Sequence, residues 1–423
     1  MSSAHPNPAS SLALKLANGI VFRPKTSVFI SLLLMFALLT ALPKLYKDTR
    51  ADAFLADDNP ALMYKNKIKK QFGLSDPIVV AVVNHSEQGI FNPRTLININ
   101  WLTKAISNLE NVNADRVTSL ATENNITGSS YGMDVTPFFD DLPETQEQAD
   151  EVWRQVSDFP LYLGTLVAED RKATLIVAEL IDEDRAEQSY NKILNLVKQA
   201  QTYSDDTFHV AGEGAIAGYL GSYIDTDAQR LNPIAGLVIT LIILYAFRSI
   251  MLAVLANVII AASVLMTLAV MAASEVPFFV ITNALPVILI GISVADSLHI
   301  FSHYFDLQAK NPNYDKRQLI VQTWVAMWRP ITMTTLTTVA GFIGLYFAAY
   351  MPPFKYFGLF TALGVAIAWV YSLIFLPAAM ALIKPTASKH HSQLAQSNKL
   401  DNFAGLMVKL GQVTLNNAKT VTL

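Results

Sequence analysis

The stretch FFVITNALPVILIGISVADSLHIFSHYF, residues 278–305, decides the fold of this chain. Its first half is almost wholly apolar, and the whole is long enough to cross a bilayer, which takes about 20 residues. Yet it carries Asp296, followed by His299 and His303. A charge near the bilayer centre costs at least about 2.5–3.5 kcal/mol, so such residues usually face the protein interior and serve a function. The stretch therefore predicts a membrane helix with a buried functional acid.

Five further apolar runs accompany this one, at residues 27–43, 233–247, 250–273, 331–350 and 357–383. The chain is 52% hydrophobic and only 15% charged, whereas charged residues make up about 25% of an ordinary soluble domain. Lys15, Arg23 and Lys25 precede the first run, as in a signal peptide, but no small-residue cleavage pattern follows it. We therefore interpret residues 27–43 as a retained anchor. The sequence predicts a six-span α-helical membrane protein.

The acidic residues mark one soluble region. All but five of the 34 lie within residues 44–230, and the others are Glu275, Asp296, Asp306, Asp315 and Asp401. Strand patterns such as DPIVVAVVN, residues 76–84, alternate with helical patterns such as residues 92–112, where Asn92 is the expected N-cap and Pro93 the first helical residue. Residues 161–180 suggest a hairpin. Alternating strands and helices predict an α/β domain of two βαβ-type, ferredoxin-like units.

Basic residues in the short connections orient the chain. Arg248 and the Lys and Arg residues of 310–329 and 384–389 belong on the cytoplasmic side, whereas the turn ASEVPFF, residues 273–279, has no positive charge. We therefore expect residues 1–26 in the cytoplasm with an interfacial helix, and residues 44–230 outside. Residues 231–385 hold spans two to six. The amphipathic segment 306–330 would lie flat at the cytoplasmic interface or pack as a solvent helix on loops.

The end of the chain resembles its beginning. Residues 15–29 align without a gap with residues 409–423, with identities at Lys15 and Lys409, Leu16 and Leu410, Lys25 and Lys419, and Thr26 and Thr420. The second copy follows a hydrophilic linker, residues 386–401. Repeated halves are a common transporter plan. Residues 386–423 are thus interpreted as a linker and the start of a second repeat, so the chain would be the first half of a duplicated protein. A basic cytoplasmic tail is the alternative.

The buried acid has polar neighbours at helical spacing. Ser293, Asp296, His299 and His303 fall on one face of a helix. A low dielectric disfavours the charged form of a carboxyl group, and imidazoles titrate near neutral pH. These residues therefore predict a proton relay. Metal binding through the two histidines is the alternative, but no further residues complete a metal set, and no cofactor is expected. A capping role remains equally open for His303.

The fifth run, RPITMTTLTTVAGFIGLYF, residues 329–347, supplies predicted partners for the acid. The hydroxyl groups of Thr334, Thr335 and Thr338 could hydrogen-bond a carboxyl group across a helix interface. They could equally bond back to their own helix. Gly291 on the fourth run and Gly341 on the fifth favour close packing of helices.

Two of these motifs together resemble a known family. GISVADSLHI, residues 291–300, followed by RPITMTTLTTVAGFIGL, residues 329–345, resembles the resistance-nodulation-division (RND) superfamily. The likeness is closest to the branch of MmpL-type and hopanoid exporters, which shares a membrane core with Patched and the sterol-sensing proteins. It extends to LADDNPALMYKNKIKKQFG, residues 55–73, and AGEGAIAGYLGSYIDTDAQRLNP, residues 211–233.

The resemblance implies export of hydrophobic or amphiphilic molecules, with lipid-like substrates favoured, driven by protons across a bacterial inner membrane. Residues 44–230 would then be a periplasmic porter domain. The family's acid follows a Gly-x-x-x-Asp or Gly-x-x-x-Asp-Asp pattern. Counted from Gly291, the first acidic position falls on Ala295 and the second on Asp296. Asp296 is therefore the expected protonation site, turned by about 100° around the helix from the usual position.

The departure at Ala295 leaves a second function open, a non-transporting lipid- or sterol-sensing or assembly protein with the same core. An enzyme is not expected, since no nucleophile, base and oxyanion set is legible, and His85 and His209 stand alone. Expected partners are protons, membrane lipids, the substrate and the chain's own C-terminal repeat. A homo-oligomer or periplasmic accessory protein is a further candidate. The net charge of −3 gives no basis for nucleic-acid binding.

Overall fold

The computed structural model describes residues 8–129, 132–138, 141–159, 161–383, 408–409 and 411–414. The chain forms two units, and helices α1–α12 and strands β1–β8 are numbered in chain order. The membrane unit comprises Met1–Tyr46, Gln229–Ala349 and Phe354–Leu423, and the extramembrane unit comprises Lys47–Ala228 and Tyr350–Pro353. The predicted linker at 386–401 and most of the predicted second repeat at 409–423 lie outside the described residues.

Long apolar helices build the membrane unit. Its elements are α1 (Pro8–Phe22), α2 (Pro24–Leu39), α7 (Glu213–Phe247, which begins within the extramembrane unit), α8 (Ile250–Ala273), β8 (Phe278–Phe279), α9 (Leu285–Lys310), α10 (Lys316–Ala348), α11 (Pro352–Val370) and α12 (Leu376–Leu382). A turn of π-helix, Tyr371–Phe375, joins α11 to α12. Six helical segments in the described residues are long and apolar enough to cross a membrane, which confirms the predicted spans.

Three of the spans form the centre of the membrane unit. In the third, fourth and sixth spans, 50–61% of the apolar window is buried, against 11% in the other three. The outer spans expose large apolar side chains such as Phe29, Phe36, Leu241 and Tyr245. Exposed apolar surface on this scale is typical of contact with lipid rather than with water.

The amphipathic segment before the fifth span is the first part of α10. The helix runs unbroken through Pro330, which lacks an N–H group, as membrane helices often tolerate. Leu319, Ile320 and Trp324 are buried, and this part of α10 packs against α1, α9 and α12. It is therefore a packed component of the membrane unit.

The extramembrane unit is an α/β fold on one antiparallel sheet of order β3-β6-β2-β7. Its elements are β1 (Lys47–Asp48), α3 (Pro60–Phe72), β2 (Pro77–Val83), α4 (Pro93–Ser107), β3 (Val112–Thr118), β4 (Asn124–Ser129), β5 (Gly132–Pro137), α5 (Gln146–Asp158), β6 (Ala173–Leu180), α6 (Ala186–Ala200) and β7 (Thr207–Ala211). Ile78, Val80 and Val82 alternate along β2 and are fully buried in a core shared with α4 and α6. This confirms the predicted ferredoxin-like α/β domain.

Two hairpins differ from the sequence prediction. The hairpin expected at residues 161–180 has only its second arm, β6, as a strand, because Gly164 turns the chain at φ 76° and Val167 makes only an isolated bridge to Thr174. Instead, β4 and β5 pair as a hairpin, with Ile126 opposite Val135. The polar, glycine-containing sequence of these strands has no alternation from which a strand could be predicted.

Candidate functional site

Asp296 lies within the fourth span, on the inward face of α9. Its side chain is only 7% exposed, and the neighbouring Ser293 and Ser297 are fully buried. The helices α8 and α10 and the π-helical turn all pack against α9. The carboxyl group therefore points into the six-span unit, away from lipid and from bulk water.

The carboxyl group of Asp296 has no protein partner. It forms no hydrogen bond or ion pair with any residue that the structure describes. One turn earlier, the Oγ of Ser293 is also buried without a partner, and the Oγ of Ser297 donates to the carbonyl oxygen of Ser293 at 3.4 Å. An unpaired carboxylate in such a setting is costly. Structural pairing within the described residues thus gives no reason for the acid.

The two histidines occupy different surroundings from the acid. His299 is exposed and His303 is half-buried. His299 lies about 60° around the helix from Asp296, at 100° per residue. No hydrogen bond or ion pair joins either imidazole to Asp296 in the described chain. The proposed relay through His299 and His303 stays a prediction.

The face of α9 next to Asp296 is open. Gly291, Ala295, His299 and Ser302 are all exposed, and a Cβ atom added at Gly291 would meet nothing within 4 Å. Ala295, the first acidic position of the family pattern, therefore lies on this open face, while Asp296 is turned inward. The rotation of about 100° expected from the sequence is visible as this difference in burial.

The threonines of the fifth span bond to their own helix. The hydroxyl of Thr334 donates to the carbonyl oxygens of Pro330 and Ile331 at 3.2 and 2.9 Å, and that of Thr338 donates to the carbonyl oxygen of Thr334 at 2.9 Å. Thr335 is buried. Such back-bonding to the own helix was one of the two expected arrangements. Gly341 is exposed, with open space around it.

A close contact at the centre of the unit could not be expected from the sequence. The Oγ of Ser263 on α8 donates to the carbonyl oxygen of Gly364 on α11 at 2.9 Å. A Cβ atom at Gly364 would lie 2.4 Å from Leu289 and 2.8 Å from the hydroxyl of Thr267. A larger residue at position 364 would force the buried side chains of Leu289 and Thr267 to shift, so glycine favours this approach of the third, fourth and sixth spans. The small residue was visible in TALGVAIAW, residues 361–369, but its neighbours in space were not.

Catalytic and metal centres are not evident in the described residues. No group of three His, Asp or Glu side chains there could hold a metal ion. His85 and His209 are exposed on the extramembrane unit, apart from each other in the sheet and loops. The buried acid of the fourth span therefore stands as the candidate site.

Six spans in the described residues, packed around a buried acid, and an α/β extramembrane unit define a multi-pass membrane protein. The model of the MMPL family matches residues 102–401, more than half of the chain. The chain belongs to the MMPL family, membrane transporters of the RND superfamily. No curated protein matches the chain.

A solved structure shows the same fold. The chain is similar to the hedgehog release protein Disp from the water bear Hypsibius dujardini, with a TM-score of 0.61 at 15% sequence identity. The alignment covers 91% of this chain and 51% of Disp, so this chain spans about half the length of that relative.

Proposed function

We propose that this protein exports hydrophobic or amphiphilic molecules, with lipid-like substrates favoured, in exchange for protons that bind Asp296. The observation that carries the proposal is a carboxyl group, 7% exposed and without a protein partner, at the centre of a six-span unit. Membership of a transporter family supports it. Intramembrane acids in such positions typically mark ion or proton pathways.

The mechanism follows from the free-energy cost of a charged, unpaired carboxylate at Asp296 in an apolar setting. Asp296 takes up a proton from the outside and releases it to the inside. In the neutral form, the carboxyl group lies in its apolar setting without the cost of an unpaired ion. In the charged form, α9 is driven to move until water or a polar neighbour reaches the group. That movement passes to the extramembrane unit and moves the substrate, so transport alternates with protonation.

The open faces of α9 and α10 fit a second six-span repeat. Gly291 and Ala295 on α9, together with Thr334 and Gly341 on α10, leave room for close approach of another helix. Small residues at this spacing favour helix packing in membranes. We propose that the C-terminal repeat of the same protein covers these faces. Movement of α9 against this partner is the step that protonation controls.

The substrate enters from the outer leaflet or a lateral cleft, and the membrane is the inner membrane of a bacterium. The exposed apolar surface of the outer spans supports a route from the lipid phase. Residues 44–230 then form the periplasmic porter domain that receives the substrate.

Substitution of Asp296 tests the function. In proteoliposomes with an imposed pH gradient, Asp296→Asn keeps the shape of the side chain but removes the titratable group. We expect export of a fluorescent lipid analogue to fall to the level of protein-free vesicles. Asp306→Asn is the matched control, because Asp306 is an exposed acid on the same helix, and it should export like the wild type.

The alternative is a lipid-sensing or assembly protein that uses the same core without transport. The inward turn of the acid away from the usual Ala295 position is the observation that favours it. A sensor would bind the lipid analogue equally well with and without the gradient, and Asp296→Asn would leave both measurements unchanged. Such a result would overturn the export proposal.

A further inference from the structure

The sixth span contains a turn that its sequence makes irregular. Between α11 and α12, the turn Tyr371–Phe375 is π-helical, and the N–H group of Leu376 donates to the carbonyl oxygen of Tyr371, five residues back. One position later stands Pro377, which has no N–H group. In a regular α-helix, residue 377 would donate to the carbonyl oxygen of Leu373. Pro377 cannot supply this donor to the carbonyl of Leu373.

An indole group from another span takes up the freed carbonyl. The Nε1–H of Trp324, on the first part of α10, donates to the carbonyl oxygen of Leu373 at 2.8 Å. Both residues are only 7% exposed. Water does not replace this hydrogen bond easily in a buried apolar setting, so loss of the indole would remove a buried donor from the carbonyl.

Other hydrogen bonds assign the two sides of the turn to different neighbours. On the N-terminal side of the turn (above it), the carbonyl oxygen of Gly364 accepts a hydrogen bond from Ser263 on α8. On its C-terminal side (below it), the ammonium group of Lys316 donates to the carbonyl oxygens of Ala381 and Ile383 at the end of α12. These hydrogen bonds tie the lower part of the sixth span to the start of α10 and the upper part to α8, while α12 also packs against α1, α2 and α8.

The turn is largely buried and contains a hydroxyl group without a hydrogen-bond partner in the described chain. The Oγ of Ser372 is fully buried and has no hydrogen-bond partner, and the hydroxyl of Tyr371 donates to the carbonyl oxygen of Ser31 on α2 at 2.6 Å. A cavity of about 10 Å³ lies beside Trp324, Leu373 and Pro377, about the space of one water-sized sphere. The space beside the indole is therefore not completely filled.

We propose that Tyr371–Phe375 is a hinge in the sixth span and that the indole of Trp324 is its latch. With the latch closed, α12 and the start of α10 hold one position relative to α11. When the indole leaves the carbonyl, α12 and the start of α10 swing together about the π-helical turn. The hinge gives the cytoplasmic end of the membrane unit a movement of its own, and its use in export rests on the function proposed above.

Spin-label distances test the hinge in the full chain in lipid nanodiscs. The chain contains no cysteine, so introduced cysteines are labelled alone. One pair joins Phe36→Cys on α2 to Leu382→Cys below the turn, and the reference pair joins Phe36→Cys to Val370→Cys above it. These three side chains are 61%, 44% and 37% exposed, so labels fit without repacking.

Two substitutions should act in opposite directions. Trp324→Phe keeps an aromatic ring but removes the latch, so we expect the Phe36–Leu382 distance distribution to broaden and shift by about 1–2 Å or more. Pro377→Ala restores the N–H group for the carbonyl of Leu373, so the same distribution should narrow. The Phe36–Val370 distribution should stay unchanged in both variants.

Trp328→Phe is the matched control. Its indole stacks on Trp324, with ring centroids 6.2 Å apart, but does not bond the freed carbonyl, so both distributions should match the wild type. The proposal is overturned if the Phe36–Leu382 pair does not respond to Trp324→Phe or Pro377→Ala, or if both pairs change together. Should Trp324→Phe fail to fold, Pro377→Ala decides alone. The readout needs neither substrate nor gradient, so it succeeds or fails independently of the export assay.

Discussion

Two aspartates of nearly equal burial show how differently the two units treat a charge. Asp76 in the extramembrane unit is 8% exposed, and Asp296 in the membrane unit is 7% exposed. The carboxylate of Asp76 lies 2.6 Å from the ammonium group of Lys69, which also contacts Glu183 at 2.9 Å. Among the described residues, Asp296 has no such neighbour. Burial alone therefore does not mark a functional acid, whereas burial without a partner does.

The pKa of Lys69 shows that the extramembrane pair is arranged to keep its charges. Burial lowers the pKa of Lys69, but the hydrogen bonds and charges of Asp76 and Glu183 outweigh burial, and the pKa lies above its usual value. The ammonium group of Lys69 is thus held in its charged form by its two neighbours, and the role of the pair is structural. The comparison predicts that substitutions at the paired acid act on stability and those at the isolated acid act on transport.

The largest effect on stability is expected for the paired charges. Lys69→Met leaves the carboxylate of Asp76 buried beside Glu183 without a counter-charge, so the free energy of unfolding of the extramembrane unit should fall by about 2–3 kcal/mol. Urea unfolding of the full chain, followed by hydrogen exchange in β2, measures this change.

Arg154→Met is the control for this prediction. Arg154 and Glu151 form an ion pair that is 69% and 48% exposed, so its loss should cost less than about 1 kcal/mol. Equal effects of the two substitutions would mean that burial does not govern the value of these pairs, and the comparison of the two aspartates would lose its basis.

A smaller effect is expected on how the stability of the extramembrane unit depends on acid pH. The hydrogen bond shared with Asp76, followed by the one that the ammonium group of Lys65 donates at 2.9 Å, lowers the pKa of Glu213 from its usual value of 4.5. Stability from Glu213 is therefore fully present above pH 4.5 and is lost as the pH falls through its lowered pKa. Because Glu213 is half-exposed, the contribution should be below about 1 kcal/mol.

Glu213→Gln tests the acid dependence. The urea midpoint of the extramembrane unit should drop less steeply below pH 4.5 in this variant than in the wild type. Parallel curves for the two proteins would show that other carboxylates carry the acid sensitivity.

The smallest effect on export is expected for substitutions in the fifth span. Thr334→Val removes a hydroxyl group that bonds only within its own helix, so export should match the wild type. Thr335→Val is the stricter test of the role of these hydroxyl groups in export, because Thr335 is buried. A loss of export with Thr334→Val would show that this hydroxyl reaches Asp296 in another state of the transporter.

Most of the fold could be predicted from sequence patterns with strong local causes. Asn92 caps α4 by accepting from the N–H group of Thr95 at 3.0 Å, and Pro93 follows at the first helical position, as expected. Proline was the less reliable signal. The helix α10 continues through Pro330, whereas Pro377 follows a π-helical turn. The difference depends on which groups replace the lost hydrogen bond, and packing decides that.

The candidate site could be predicted only in its central residue. The apolar surroundings of Asp296 are visible in the sequence, and so is its offset from the position at Ala295. The burial of Ser297, the exposure of His299 and the approach of Gly364 to Leu289 depend on how three spans pack. A sequence shows which residues share a helical face, but not what that face packs against. It therefore could not distinguish the buried residues from the exposed ones.

In the proposed mechanism, the carboxyl group of Asp296 gains and loses a proton as the protein works. Infrared difference spectroscopy of the full chain in lipid, recorded between acid and neutral pH, measures this directly. We predict a carbonyl band of a buried protonated carboxyl group that appears on acidification, is absent from Asp296→Asn and persists in Asp306→Asn. A spectrum of Asp296→Asn that equals the wild-type spectrum would contradict the account.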